Sequence, residues 1–364
     1  MITRYTEAHK PCLRAALIAL LLIAGCDAGP LQETPPDDAP PQDPAWSADT
    51  FGIFDISNDP RVFEAMHTLG VGWVRLQFRM GEADLRALTQ RTETLFAEGF
   101  RLWLTLYHRD RANITDQASF DQSERGAYPP AEAEAYRHLL AETLTPLVEQ
   151  LRAQGKQPGA WLVVQLANEV APADVFPPDR PVRFWHGTAE EYLATLRLTY
   201  EAVKAVDPLV PVAAAGISSA MMERVLAGEP EALAWNERLL GEGRYDWADV
   251  HLRHRAEDVA AKVAWVQARH DGPVAATEIG GFCDGEGTCT TSTAYAGAVQ
   301  AEDLEAKMAA ALEAGLVRVF WASLVENPAV APHFQQESLI TMDWQKKPAF
   351  FAYEALIAER TKRD

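Results

Sequence analysis

The chain has 364 residues, with 52 acidic against 33 basic side chains and a formal net charge of −19 at pH 7. That excess of acid disfavours nucleic acid and anionic membrane surfaces as partners, because both are recognised through Lys and Arg. Neutral or cationic substrates suit it better.

In chain order, the first segment reads as an address. Arg4, Lys10 and Arg14 give a positive start, and Ala15 to Ala24 is an unbroken apolar run. A membrane-spanning helix needs ~20 apolar residues, so the run matches the core of a signal peptide instead. Leu22-Ile23-Ala24-Gly25-Cys26 resembles the bacterial lipobox, in which small residues precede a cysteine that takes a lipid and becomes the new N-terminus. The alternative is an ordinary signal peptide with a chance cysteine. Residues 1–25 are thus expected to leave, and Cys26 to carry the anchor in the cell envelope; which membrane holds it stays open. Residues 26–48 are rich in Pro, Asp, Gln and Glu, cannot bury a core, and read as a tether.

Residues 49–364 have the size of one large α/β domain. Eight short runs read as strands apolar on both parities, as parallel strands covered on both faces should be. They are Phe51–Ile56, Gly72–Phe78, Arg101–His108, Ala160–Asn168, Val210–Ile217, Trp247–His254, Pro273–Ile279 and Val317–Val325. Helical patterns follow each: Pro60–Leu69, Glu82–Glu98, Pro130–Gln154, Thr188–Val206, Ser219–Leu240, Glu257–His270, Glu302–Gly315 and Pro348–Arg360. Thr188 with Glu191 matches the capping box that opens a helix. Strict βα alternation predicts parallel strands with crossover helices. Eight units, without a Gly-x-Gly-x-x-Gly after the first strand, favour a (β/α)8 TIM barrel over a dinucleotide-binding sheet.

In such a barrel, chemistry sits at the C-terminal ends of the strands. The fourth candidate ends in Asn168-Glu169 and the seventh in Glu278. Two carboxylic acids across a barrel mouth are what glycosidic cleavage needs: one protonates the leaving oxygen, the other attacks or stabilises the anomeric carbon. A salt-bridged rim residue is the alternative for either alone. Cys283 and Cys289 bracket a short loop just beyond Glu278. In an exported chain a disulfide is expected there, two free thiols being the alternative.

Together these residues resemble clan A of the glycoside hydrolases, particularly the family 5 type, across essentially the whole body. The resemblance implies Glu169 as acid/base, following Asn168, and Glu278 as nucleophile. It implies substrate-side roles for Arg75 on the second strand, His108 ending the third, His251 on the sixth, and Trp321 on the eighth as a sugar-stacking floor. Lys347-Pro348-Ala349 before the final helix also fits. Physically, Arg75 would keep Glu278 ionised, Asn168 could bind a sugar 2-hydroxyl, and the histidines could donate to hydroxyls or carboxylates. Glu169 must act protonated, which predicts a less cationic, more desolvated setting. Trp321 has barrel core as its alternative, and Trp185, in the segment after the acid/base, is a sugar platform or a packing residue.

One departure stands out. The family 5 pattern has His-x-Tyr on the sixth strand; here His251-Leu252-Arg253 puts Arg253 in place of the Tyr. A second cation there would over-stabilise Glu278 or serve an acidic sugar; the alternative is an Arg253 tilted outward and paired with an acid. A non-catalytic glycan-binding lipoprotein on a decayed barrel is therefore the competing reading. A metal-dependent barrel is disfavoured, since the first strand lacks His and the fifth ends in Gly216-Ile217-Ser218. No cofactor or metal is expected. The expected partners are a carbohydrate substrate and, through the lipid alone, a membrane, with the chain a monomer.

Overall fold

Eight apolar runs become eight parallel strands: β1 (Phe51–Phe54), β2 (Trp73–Met80), β3 (Arg101–His108), β4 (Leu162–Leu166), β5 (Val212–Ala213), β6 (Ala248–Asp249), β7 (Val274–Ile279) and β8 (Arg318–Ala322). The computed structural model describes residues 47–54, 59–122, 125–176, 184–281, 295–329 and 332–361. The signal segment, Cys26, most of the tether, Cys283 and Cys289 lie outside the described residues. Among these residues no helix is long and apolar enough to cross a membrane.

The strands hydrogen-bond in the order β5-β4-β3-β2-β1-β8-β7-β6, every pair parallel. Beyond the two-residue β5 and β6, single bonds carry the sheet round on itself: Ala214 N to Trp247 O at 3.1 Å, Ile217 N to Asp249 O at 2.9 Å, and His251 N to Ile217 O at 2.8 Å. The (β/α)8 barrel expected from the sequence is the fold.

Helices follow their local signals. The helix Ala189–Val206 starts at a complete capping box of Thr188 and Glu191. The single helix expected over Ser219–Leu240 is two, Ser219–Leu226 and Pro230–Glu242. Gly228 at φ 78° ends the first and Pro230 starts the second, the usual asymmetry of Gly after and Pro at the start of a helix.

Alternate residues of a strand face opposite ways, and register carries one parity round the barrel. The inward set closes the floor with Trp73, Trp103, Val163, Ala213, Ala275 and Phe320. Trp103 meets Trp247 and Phe320 edge-on, at 5.8 and 5.9 Å between ring centres. The outward set packs against the helices; Tyr136, Leu140, Leu144, Leu147 and Leu151 line the buried side of the helix Ala133–Ala153. On β1 the inward position opposite Phe320 must be glycine, because a Cβ on Gly52 would lie 2.3 Å from that ring. Gly52→Ala is expected to overpack the floor and lower stability by about 1–3 kcal/mol, read as a lower urea midpoint at unchanged slope.

Candidate active site

Above the floor the inward positions turn polar. On β2 the next inward residue is Arg75, on β3 Thr105, on β4 Gln165, on β6 Asp249 and on β7 Thr277. All are buried, and a buried polar group without a partner costs about 1–3 kcal/mol, so they bond one another. Arg75 donates from Nε to Thr105 Oγ1 (3.1 Å) and from Nη2 to Gln165 Oε1 (3.2 Å) and Asn168 Oδ1 (2.7 Å). Its Nη1 donates to Glu278 Oε1 at 2.5 Å. Gln165 Oε1 also accepts from Trp103 Nε1 and Thr105, while its Nε2 donates to Asp249 Oδ2 at 2.6 Å. Thr277 gives Asp249 both its backbone N–H and its hydroxyl.

Glu278 follows the inward Thr277, so plain alternation would aim it at the helices. A register shift between Ala276 and Ile279 puts one extra residue into β7 against β8. Such a bulge re-aims a side chain, and both Thr277 and Glu278 reach the interior. Glu169 arrives by another irregularity. Past β4, Ala167 and Glu169 both hold left-handed backbone, φ 59° and 42°, an uncommon state for non-glycine residues. This turn points Asn168 at Arg75 and Glu169 at His251.

His251 Nδ1 lies 2.7 Å from Glu169 Oε1 and 3.8 Å from Glu278 Oε2, and Nε2 is 3.5 Å from Asp249. Burial disfavours its charge, but Glu278, Asp249 and Glu169 outweigh that and lift its pKa to about 9. At neutral pH it is an imidazolium and donates to Glu169. Burial likewise opposes ionisation of Glu278, yet His251, Arg253 and Arg75 outweigh it and hold the carboxyl well below its usual range. The setting of Glu169 is the less cationic of the two, with one imidazolium against the two guanidiniums on Glu278, but the expected desolvation is corrected: its side chain is 22% exposed against 7% for Glu278.

Arg253 reaches inward and is shared. Nε and Nη2 donate to Glu278 Oε2 at 3.2 and 2.7 Å, and Nη1 pairs with Glu337. Arg253 therefore does not tilt outward: it bonds Glu278 directly and pairs with a second acid at the same time. Burial pushes the Glu337 carboxyl up to about 7, against the pull of Arg253.

Three expected site residues lie elsewhere. His108 has outward parity on β3; it is buried, with Nδ1 2.9 Å from Tyr128 O and its ring edge-on to Tyr136. Trp321 also has outward parity, is fully buried and donates from Nε1 to Glu337 O at 2.8 Å. Trp185 is fully buried against Tyr192, with Nε1 donating to Thr188 O. None presents a face to the mouth; the packing alternatives of Trp321 and Trp185 hold, and His108 is a buried, hydrogen-bonded residue as well. Arg75, Asn168, Glu169, His251, Arg253 and Glu278 do come together.

Sequence reasoning missed Gln165, Asp249, Thr105, Thr277, Glu337 and Tyr107. The first four carried a usable signal, polar residues at inward parity within apolar strands. Tyr107 is the inward residue beside His108; it feels the charges of Arg75, Glu278 and Glu169, and its buried hydroxyl has no hydrogen-bond partner. Glu337, beyond β8, carried no local signal.

Glu169, His251 and Glu278 each offer one donor atom, all within 4.8 Å of one another, a cluster of the size that holds a cation. Two guanidiniums already bond Glu278 and His251 is charged at neutral pH, so a divalent ion would meet three positive charges. The donor set fits proton and carboxylate chemistry better.

No protein-family model matches the sequence, and no curated protein matches it. Solved structures do match in fold. The chain superposes on a family 39 glycoside hydrolase (GH39) from Xanthomonas axonopodis pv. citri with TM-score 0.60 and 17% identity, over 85% of this chain and 66% of that one. An exo-β-1,4-mannosidase from Opitutaceae bacterium strain TAV5 gives 0.57 and 17%, over 86% and 60%. The catalytic domain of a family 53 enzyme (GH53) from Ignisphaera aggregans gives 0.56 and 14%, over 86% and 98%. The chain thus spans about two thirds or less of the first two proteins. Its barrel is of the kind found in glycoside hydrolases.

The charge on His251 has a stability consequence. Its folded pKa of about 9 lies above the ordinary 6.5, so the stabilisation is complete below about pH 6.5 and lost as pH rises through 9. The stability difference between the parent chain and His251→Gln should shrink across that window by about 3 kcal/mol, measured by denaturant titration at each pH.

Proposed function

We propose that the chain is a retaining glycoside hydrolase acting on β-linked O-glycosides of an oligo- or polysaccharide. The observation that carries this reading is the approach of two strand-end carboxylates, with an oxygen of Glu169 within 4.8 Å of one of Glu278. Retaining enzymes hold the pair ~5–5.5 Å apart, whereas inverting ones leave ~6.5–9.5 Å for a water.

In the first step Glu278 attacks the anomeric carbon as the carboxylate that its cationic neighbours maintain. The bond to the leaving oxygen breaks, and that oxygen takes a proton from Glu169, leaving a glycosyl ester on Glu278. In the second step a water gives its proton to Glu169 and its oxygen to the anomeric carbon, and the ester bond breaks. The proton between His251 Nδ1 and Glu169 Oε1 supplies the acid of the first step and is restored in the second. Asn168, whose Oδ1 is held by Arg75, keeps its NH₂ group as a donor for a sugar hydroxyl beside the reacting carbon.

The test is hydrolysis of 4-nitrophenyl β-D-glucoside, mannoside, galactoside and xyloside, and of β-glucan, mannan and xylan, by residues 45–364. Glu169→Gln and Glu278→Gln should each lose at least about 10³-fold in kcat. Azide added to Glu278→Gly should restore turnover and give the α-glycosyl azide, the product of a single inversion. A folded Glu278→Gln that retains activity would sink the reading.

The same proposal places the chain in a bacterial envelope as a monomer, anchored by lipid on Cys26, with the Cys283–Cys289 pair oxidised. Labelled palmitate should enter the full chain expressed in bacteria, and Cys26→Ser should abolish incorporation and release the protein from membranes.

A further inference from the structure

We propose that Glu337 is a positioning residue for Glu278, acting through Arg253 in place of a direct hydroxyl contact to the nucleophile. This rests on the reading of Glu278 as nucleophile.

The geometry begins with a fork. Arg253 puts Nε and Nη2 on Glu278 Oε2 and Nη1 on Glu337, so one planar guanidinium is fixed between two carboxylates. The ring of Phe334 lies over the guanidinium, 5.1 Å from its central carbon. Glu337 is itself held from behind. Its carbonyl accepts from Trp321 Nε1 at 2.8 Å and from Gln300 Nε2 at 2.7 Å. Its carboxylate enters a gap that two glycines clear. A Cβ on Gly281 would lie 2.5 Å from Glu337 Oε1, and one on Gly280 2.9 Å from Oε2. Lys307, buried on the helix Gln300–Glu313, donates to the carbonyl of Gly281 at 2.5 Å and pairs with Asp303. The Gly-Gly that follows the nucleophile strand thus admits the acid serving the nucleophile.

The chemical need is one of charge balance. Glu278 already bonds Arg75. A second, uncompensated guanidinium would leave a net positive charge around the carboxylate, keep its lone pairs engaged, and weaken its attack. Glu337 divides the field of Arg253, so that the two guanidiniums face two carboxylates while His251 faces Glu169 and Asp249. It also orients the fork, which fixes the rotation of the Glu278 carboxylate. Among the described residues, Arg253 beyond β6, Glu278 on β7 and Lys307 on the helix act on Glu337. Protonation of Glu337 restores the imbalance, so the rate should fall as pH drops through about 7.

The experiment is a double-mutant cycle of Glu337→Gln, Arg253→Gln and the pair, using the aryl β-glycoside cleaved fastest in the screen above. Glu337→Gln should lower kcat about 10–100-fold with KM little changed, and the acid limb near pH 7 should vanish. Glu337→Asp keeps the charge and should retain that limb. The double variant loses both charges together and should exceed Glu337→Gln in kcat by about 5-fold or more. A substrate-free arm measures melting at pH 8, where the double variant should also melt above Glu337→Gln, whose Arg253 has lost a buried partner. Additive effects in both arms, or an acid limb unchanged in Glu337→Gln, would overturn the inference. If Glu278→Gly shows no azide rescue, the nucleophile reading falls and takes the inference with it. Rescue alongside a wild-type Glu337→Gln profile defeats the inference alone.

Discussion

A guanidinium with no exposure to water sits at the centre of this barrel, and the structure around Arg75 is organised by what that charge requires. Removing one partner from a buried ion pair costs about 3–5 kcal/mol, so the fold surrounds Arg75 with acceptors on three other strands and one strand-end turn. Thr105, Gln165, Asn168 and Glu278 are drawn to one point. The same bonds fix the direction in which each of them faces. Gln165 is the relay: its oxygen takes three donors, and its nitrogen passes the orientation on to Asp249, which sits beneath His251. A single cation thereby aligns the Glu278 side and the Glu169 side of the mouth.

Above that layer the two carboxylates live in different fields. Glu278 is nearly enclosed and bonds two guanidiniums. Glu169 is more open and bonds one imidazolium. The difference supports the proposed roles without appeal to relatives. A permanently ionised, rigidly held carboxylate suits attack. A carboxylate sharing a proton with a base, and open to solvent, suits transfer of that proton to and from small groups.

Most of the fold could be read from the chain, because burial on both faces leaves a direct mark on composition. β3 matches its expected limits residue for residue, and β1, β2, β7 and β8 lie within or close to theirs. β5 and β6 were expected long and are short in regular pairing; the closing seam is made by single bridges, which apolar composition does not distinguish from a ladder. At the site, residues whose charge demanded a partner were legible, namely Arg75, Glu169, His251, Arg253 and Glu278, as was Asn168 beside Glu169. His108 and Trp321 were misplaced because being at a strand end says nothing about which way a side chain points. Parity does, and parity depends on a register that only pairing fixes. The adjacent Tyr107 takes the inward position that the resemblance gave to His108. Glu337 was invisible for another reason. It lies 84 positions from Arg253, and only the closed barrel brings them together.

The bulge in β7 makes the address of Glu278 a matter of counting. Ala275 and Ala276, ahead of it on the strand, are small and fully buried and carry no polar group, so their identities say nothing of the site. Their number says a great deal. Deleting one codon ahead of Glu278 would pull the strand back into phase with β8 and turn the carboxylate into the oily sheath under the helices. Inserting one would displace Thr277 from Asp249. This stretch is therefore intolerant of a change in length, which surface loops accept. Among divergent descendants of this gene, the spacing from the start of β7 to Glu278 should outlast the residues that fill it.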